Sequence, residues 1–196
     1  MVRLTGGEFK GRVLRVPPAI RATEAKVRQA FFNIAGPFIE GARVLDGFAG
    51  SGALGLEALS RGAAFVAFVE SDAEAALAIR ENLALLGLEQ DRWAWRVVQL
   101  DVERGLRELS EAEAPFDVIF LDPPYRSDEG KKALNRVVGY AMLAPTGVVA
   151  VEHDRWTILP RSIGMLEQQQ HRYGDTVLSF YRVGKPTGQP RTRRHP

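Results

Sequence analysis

The 196-residue chain is 45% hydrophobic and 26% charged with a net charge of +2, the balance of a water-soluble domain built on one well-buried core. It has no cysteine, which excludes disulfides, thiolate metal ligands and a cysteine nucleophile together. Apolar runs stay far below the roughly 18 residues of a membrane span, and the start MVRLTGGEFKGR lacks a signal-peptide core, so the expected location is the cytoplasm.

The small net charge hides a segregation. Residues 1–28 carry Arg3, Lys10, Arg12, Arg15, Arg21, Lys26 and Arg28 against Glu8 and Glu24, a net +5. Residues 184–196, GKPTGQPRTRRHP, add +4, whereas 29–183 carry a net −7. An acidic body with a basic N-terminal segment is expected of a chain that touches a polyanion such as nucleic acid.

In chain order, residues 1–20 read as a small hairpin with Gly6-Gly7 and Gly11 as turn points, and 23–35 as a helix leading into a sheet. ARVLDGF (42–48) is a short buried strand, followed by a helix from Ser51 to about Ser60. AAFVAFVE (63–70) is an apolar strand ending in an acid. Asp72 can cap a helix whose Ala76, Ile79, Leu83 and Leu86 share one face, with Gly87 at its left-handed end. WAWRVVQLD (93–101), PFDVIFLDPPY (115–125) and GVVAVEHD (147–154) supply further strands; MLEQQQHRYGDTVLSFYRV (165–183) is a hairpin around YGDT. Continuous apolar strands between helices predict a mainly parallel α/β sheet closed by antiparallel pairing. The resulting organisation is an N-terminal extension over 1–35, a sheet domain over 36–183 and a basic tail over 184–196, expected to be disordered.

Two loops carry the chemistry. LDGFAGSGALG (45–55) contains Gly50-x-Gly52-x-x-Gly55 between a strand and a helix, where backbone amides face a ligand. A dinucleotide pyrophosphate fits that spacing, and so does the amino-acid part of S-adenosylmethionine. Asp46 at the strand end repels the former and suits the ammonium of the latter. Glu70, ending the next strand, is placed for ribose hydroxyls in either case.

The second loop decides between them. In LDPPY (121–125) two prolines remove two N–H donors, leaving the Asp122 carboxylate and the Pro123 carbonyl as acceptors at the same sheet edge. Such a pair holds an NH₂ group by its hydrogens, and Tyr125 adds a face for a planar base. Gripping both hydrogens frees the lone pair of an exocyclic amine for an electrophilic methyl group. His153, His171 and His195 match no metal-ligand spacing, and no metal is expected.

DGFAGSGALGLEALSRGA, DPPY, GGEFKGRVLRVP and RATEAKVRQAFFNI together resemble the bacterial small-subunit (16S) ribosomal RNA guanine-N2 methyltransferases of the RsmD type, over residues 1–183. The resemblance implies a class I, Rossmann-like fold, with a seven-stranded sheet whose last strand is antiparallel. It implies that Asp46, Phe48, Gly50, Ser51 and Gly52 surround the methionine part of S-adenosylmethionine, with Glu70 at the ribose and Asp101 and Val102 near the adenine. Asp122, Pro123 and Tyr125 would hold the target guanine. Thr23 and Arg28 would sit at the site entrance, and Arg3, Lys10, Arg12, Arg21 and Arg126 would meet RNA, within an assembled or assembling subunit and as a monomer. Relatives with RPT differ from Arg21-Ala22-Thr23 here, and some carry Phe at position 125. The competing readings are a DNA adenine-N6 methyltransferase, a protein-glutamine methyltransferase, a non-catalytic RNA-binding or ribosome-assembly protein, and an oxidoreductase.

Overall fold

The computed structural model describes residues 2–18, 20, 25–91, 94–125 and 127–183. Strands β1 (Val2–Arg3) and β2 (Val13–Leu14) pair antiparallel in the expected hairpin. Helix α1 (Ala25–Ala35) and a 3-10 turn at Gly36–Phe38 lead into the sheet domain. Its elements are β3 (Arg43–Asp46), α2 (Ala53–Ser60), β4 (Phe65–Val69), α3 (Ala73–Leu85), β5 (Trp95–Val98), α4 (Val102–Ala112), β6 (Phe116–Leu121) and α5 (Glu129–Gly139). The sheet is completed by β7 (Leu143–Asp154), β8 (Ser162–Ile163), β9 (Leu166–Tyr173) and β10 (Thr176–Val183).

The strands lie in the order β5-β4-β3-β6-β7-β10-β9-β8. Strands β3 to β7 run parallel to one another, and β10 runs antiparallel to both β7 and β9. The eight-stranded sheet exceeds the expected seven by β8, a two-residue edge strand. The chain moves outward from β3 to β5 and then returns to β6 on the other side. This reversal opens a crevice at the carboxyl ends of β3 and β6, where ligands of doubly wound sheets bind.

Alternation along each strand fills two cores. Val44, Phe68, Val118, Phe120, Ala150 and Phe180 face α1, α2 and α3, while Leu45, Val69, Ile119, Leu121, Val149 and Tyr181 face α4 and α5. Phe120 meets Phe31 edge-on at 5.5 Å and Phe32 at 5.6 Å, fixing α1 across the sheet. Gly55 is where α2 comes closest to the sheet: a Cβ there would lie 2.2 Å from the Phe68 ring.

Several boundaries differ from expectation. Helix α2 starts at Ala53 instead of Ser51, because Gly52 adopts φ +80° in the left-handed region and ends the loop two residues later. Among the described residues strand β5 spans 95–98, ending before the expected 101, and β7 begins four residues early, at Leu143. The caps hold: the Asp72 carboxylate accepts from the Ala75 amide at 2.9 Å, and Gly87 has φ +76°.

The N-terminal extension is fastened by a buried ion cluster. Glu57 on α2, fully buried, accepts from Arg28 Nε at 3.3 Å, Arg61 at 2.7 Å, the Thr5 amide at 3.2 Å and the Thr5 hydroxyl. Arg28 also donates to the Arg3 carbonyl at 2.7 Å. The expectation that Arg28 lies at the site entrance to meet RNA is therefore corrected. Its side chain is only 2% exposed and is spent on Glu57, the acid that follows the glycine loop on α2.

Candidate active site

The crevice holds a cavity of about 470 Å³, a volume suited to a nucleoside-sized ligand. Its floor is the loop after β3, with Gly47, Phe48, Ala49, Gly50 and Ser51 lining it ahead of α2. Gly47 ties that loop to β6 by donating to the Phe120 carbonyl at 2.9 Å. Buried Asn82 on α3 clamps the same loop from behind. Its amide donates to the Ser51 carbonyl at 3.2 Å and the Arg15 carbonyl at 2.9 Å, while its Oδ1 accepts from the Arg15 amide at 2.7 Å. The extension thus leans on the loop, and Ile20 contributes to the cavity wall.

Asp46 ends β3 in this wall with 1% exposure. One carboxylate oxygen accepts from the Gly55 amide at 2.9 Å; the other, Oδ1, is buried with no hydrogen-bond partner among the described residues. Burial raises its pKa from 3.8 to about 7, opposed by the Gly55 amide and reinforced by the charges of Asp122 and Glu70. A buried carboxylate with one unsatisfied oxygen, among other acids, is a site for a cation.

Glu70, expected only as a ribose ligand, also builds the loop. Its two oxygens accept from the Gly50 amide and the Asp72 amide, both at 2.7 Å, and each retains a second lone pair for a ligand. Asp101 caps α4 through the Arg104 amide at 2.9 Å and lines the cavity with Leu100 and Val102. Gly52, a predicted site residue, is the turn that starts α2 and is not itself part of the lining.

The opposite wall is the loop after β6. Asp122, Pro123, Pro124 and Tyr125 line the cavity. The Ser127 hydroxyl occupies the Pro124 carbonyl at 2.7 Å, whereas among the described residues nothing donates to the Pro123 carbonyl. The Tyr125 hydroxyl donates to Glu152 Oε1 at 2.7 Å and receives the Thr176 hydroxyl at 2.9 Å, which orients its ring.

Sequence reasoning missed Glu152, Asn82 and the loop-building role of Glu70. The signal for Glu152 is positional. Val151 of β7 pairs in parallel with Leu121, so Glu152 stands beside Asp122 at the same edge. Arg3, Lys10 and Arg12 are exposed on the hairpin, with Arg3 donating to the Gly11 carbonyl at 2.9 Å. Arg21, Thr23 and Arg126 lie outside the described residues. His153 is buried between the Ser179 hydroxyl and the Asp154 carbonyl, each at 2.8 Å, and burial holds its pKa below the usual value; His195 lies outside the described residues.

Asp46, Glu70, Asp101, Asp122, Glu129 and Glu152 all border the cavity, and among its described lining there is no Lys, Arg or His. Such a wall repels a dinucleotide pyrophosphate and attracts a cationic ligand, so the glycine spacing alone misleads. Fold and site together define a class I methyltransferase.

Comparison with known proteins agrees. Residues 2–182 match the family model described as Conserved hypothetical protein 95, and the chain belongs to that family. It is 38% identical over 184 residues to the Bacillus subtilis protein named "Putative rRNA methyltransferase YlbH", covering 92% of this chain and 98% of that one. It is 37% identical over 161 residues to ribosomal RNA small subunit methyltransferase D of Escherichia coli K12, covering 81% and 78%. The solved structure titled "Putative methyltransferase yhhF from Escherichia coli" superposes with a TM-score of 0.80 at 32% identity, over 94% of this chain and 99% of that chain. Among the described residues, no helix is long and apolar enough to cross a membrane, and no group of three or more His, Asp or Glu could hold a metal.

Proposed function

We propose that this protein transfers a methyl group from S-adenosylmethionine to the exocyclic N2 amine of a guanine in small-subunit ribosomal RNA. The observation that carries the reading is the cavity itself, a cation-attracting wall of carboxylates facing a base-holding loop that offers acceptors only. The likeness to ribosomal RNA small subunit methyltransferase D supports the RNA substrate.

The residues present fit the cofactor. Asp46, with its unsatisfied buried oxygen, would take the ammonium, Glu70 the ribose hydroxyls, and Asp101 with Val102 the adenine. When bound, the cofactor supplies an electrophilic methyl on a positively charged sulfur. The protein supplies orientation. Asp122 and the Pro123 carbonyl each accept one hydrogen of the amine, which favours a pyramidal nitrogen and aims its lone pair away from the ring. The amine proton becomes acidic only as the new N–C bond forms, and Asp122 then receives it. Tyr125, oriented by its hydroxyl, offers the base a flat face.

Glu152 supports guanine over adenine. Guanine presents an N1–H donor beside its N2 amine, whereas adenine presents a bare N1 acceptor beside its N6 amine. A carboxylate next to Asp122 attracts the former and repels the latter. A target base taken out of its stack would enter between these groups, and Arg3, Lys10 and Arg12 on the hairpin would contact RNA phosphates.

The test is transfer of a labelled methyl group by the purified protein to unmodified small ribosomal subunits, naked ribosomal RNA, duplex DNA and total protein. Label in ribosomal RNA supports the reading, and label only in DNA or protein replaces its substrate. Cofactor binding without transfer to any of them would favour a non-catalytic RNA-binding role.

A further inference from the structure

At the carboxyl end of β7, on the same sheet edge as Asp46 and Asp122, the chain enters a tight turn that the methyl-transfer chemistry does not use. Asp154, buried, organises it: its carboxylate accepts from the Trp156 amide at 2.8 Å, the Thr157 amide at 2.9 Å and the Thr157 hydroxyl at 3.1 Å. The Arg155 amide donates to the Asp175 carbonyl at 2.9 Å, tying the turn to the β9–β10 hairpin.

The product of this bonding is an exposed apolar surface. Trp156 is 59% exposed and Ile158 is 87% exposed, in a turn whose backbone is pinned. The Arg155 guanidinium lies 4.6 Å from the Trp156 ring centroid and 3.4 Å from the Asp175 carboxylate, so it is held at the indole face. Below the turn, Asp154, Thr157 and Leu159 share a small cleft with Pro123, Pro124, Tyr125 and Lys131. The turn and the base-holding loop are therefore two sides of one wall.

We propose that Trp156 and Arg155 form a subsite for the nucleotide next to the target base, with Trp156 stacking on the neighbouring base and Arg155 meeting its phosphate. The proposal rests on the reading that the target is an RNA base taken out of its stack. Removing that base leaves its neighbour without a stacking partner, and an exposed indole on a pinned turn, next in the chain to residues that share a cleft with the base-holding loop, replaces the lost contact. Charge favours RNA over a protein surface as the occupant: Arg155 lies on the indole and Lys131 lines the cleft below the turn, and the polyanion they suit is the substrate itself.

The test uses the full-length protein and measures both binding and methylation, with a single-stranded RNA oligonucleotide of small-subunit sequence and with small-subunit particles. Trp156→Ala should weaken RNA binding about tenfold while leaving S-adenosylmethionine affinity and melting temperature unchanged. Trp156→Phe should recover most of the loss. The penalty should disappear on an oligonucleotide with an abasic residue beside the target, because there is then no base to stack.

Equal RNA affinity of wild type and Trp156→Ala, or no binding of the wild type to either RNA form, overturns the proposal. A defect confined to particles, with oligonucleotide binding intact, assigns the patch to a protein partner and also overturns it. If the wild type methylates no RNA yet Trp156→Ala still binds the oligonucleotide tenfold more weakly, the methylation reading fails and the subsite, defined by its target base, is overturned with it, leaving an RNA-stacking contact at Trp156.

Discussion

Arg28 Nε lies 3.3 Å from Glu57 Oε2 with both side chains sealed from solvent, and this pair locks the N-terminal extension to the helix that carries the glycine loop. Glu57 belongs to α2, whose first turn follows Gly52 directly, while Arg28 belongs to α1 and reaches back to the β1 carbonyl of Arg3. Loop and extension are thereby built as one unit. Removing Arg28 takes from Glu57 one of its two guanidinium partners, Arg61 being the other, and takes the donor from the Arg3 carbonyl, at a cost of about 1–3 kcal/mol. Arg28→Ala should therefore lower the denaturant midpoint strongly while leaving the RNA affinity of the remaining folded protein within about twofold, whereas Arg12→Gln should weaken RNA binding without changing stability. Denaturant titration and RNA binding at low temperature measure the two effects separately.

The proposed roles set Asp122 against the target and not against the cofactor's ammonium. Asp122→Ala should reduce methyl transfer by roughly two to three orders of magnitude, with S-adenosylmethionine affinity changed no more than about threefold. Calorimetry of cofactor binding beside a transfer assay separates the two, and a collapse of cofactor affinity would show that Asp122 belongs to the other subsite.

Asp46 gives the site a pH signature. Its folded-state pKa of about 7 lies above the ordinary 3.8, so its contribution to stability is fully present below pH 3.8 and is lost as pH rises to about 7. A cationic ligand binds the ionised form. S-adenosylmethionine affinity should therefore increase about tenfold between pH 6 and pH 8. Asp46→Asn should flatten that dependence, weaken binding at pH 8 and raise the melting temperature of the ligand-free protein there.

Glu152 can be tested through the base. Guanine and 2,6-diaminopurine share the N2 amine but differ at N1, which is a donor in the first and an acceptor in the second. The wild type should prefer an RNA carrying guanine at the target by at least about tenfold in kcat/KM, and Glu152→Gln should narrow that preference because its amide can donate to N1. A ratio unchanged by the substitution would leave Glu152 with the single task of holding Tyr125.

Much of this was legible in the sequence because it is local. A strand-to-helix glycine turn, an acid at a strand end and Asp-Pro-Pro-Tyr each depend on neighbouring residues, so the order of residues alone places Asp46, Glu70 and Asp122 at one sheet edge. What escaped depends on distant pairing. Glu152 becomes a site residue only through the parallel register of β6 and β7, and Asn82 reaches Ser51 across 31 positions of chain. Arg28 was misplaced for the same reason: a basic residue in a basic segment looks solvated until Glu57, 29 positions on, is seen beneath it. Glu70 shows a milder form, since its place at the strand end was evident but the amides it gathers were not.

Nucleoside analysis of RNA after methyl transfer by the purified protein tests the guanine assignment. The label should appear as N2-methylguanosine, at a single position of small-subunit RNA, and its rate of incorporation should fall at least about a hundredfold with Asp122→Ala. Label in N6-methyladenosine instead, or label incorporated at an unchanged rate after loss of Asp122, would contradict the assignment of the acceptor pair and of Glu152 to a guanine edge.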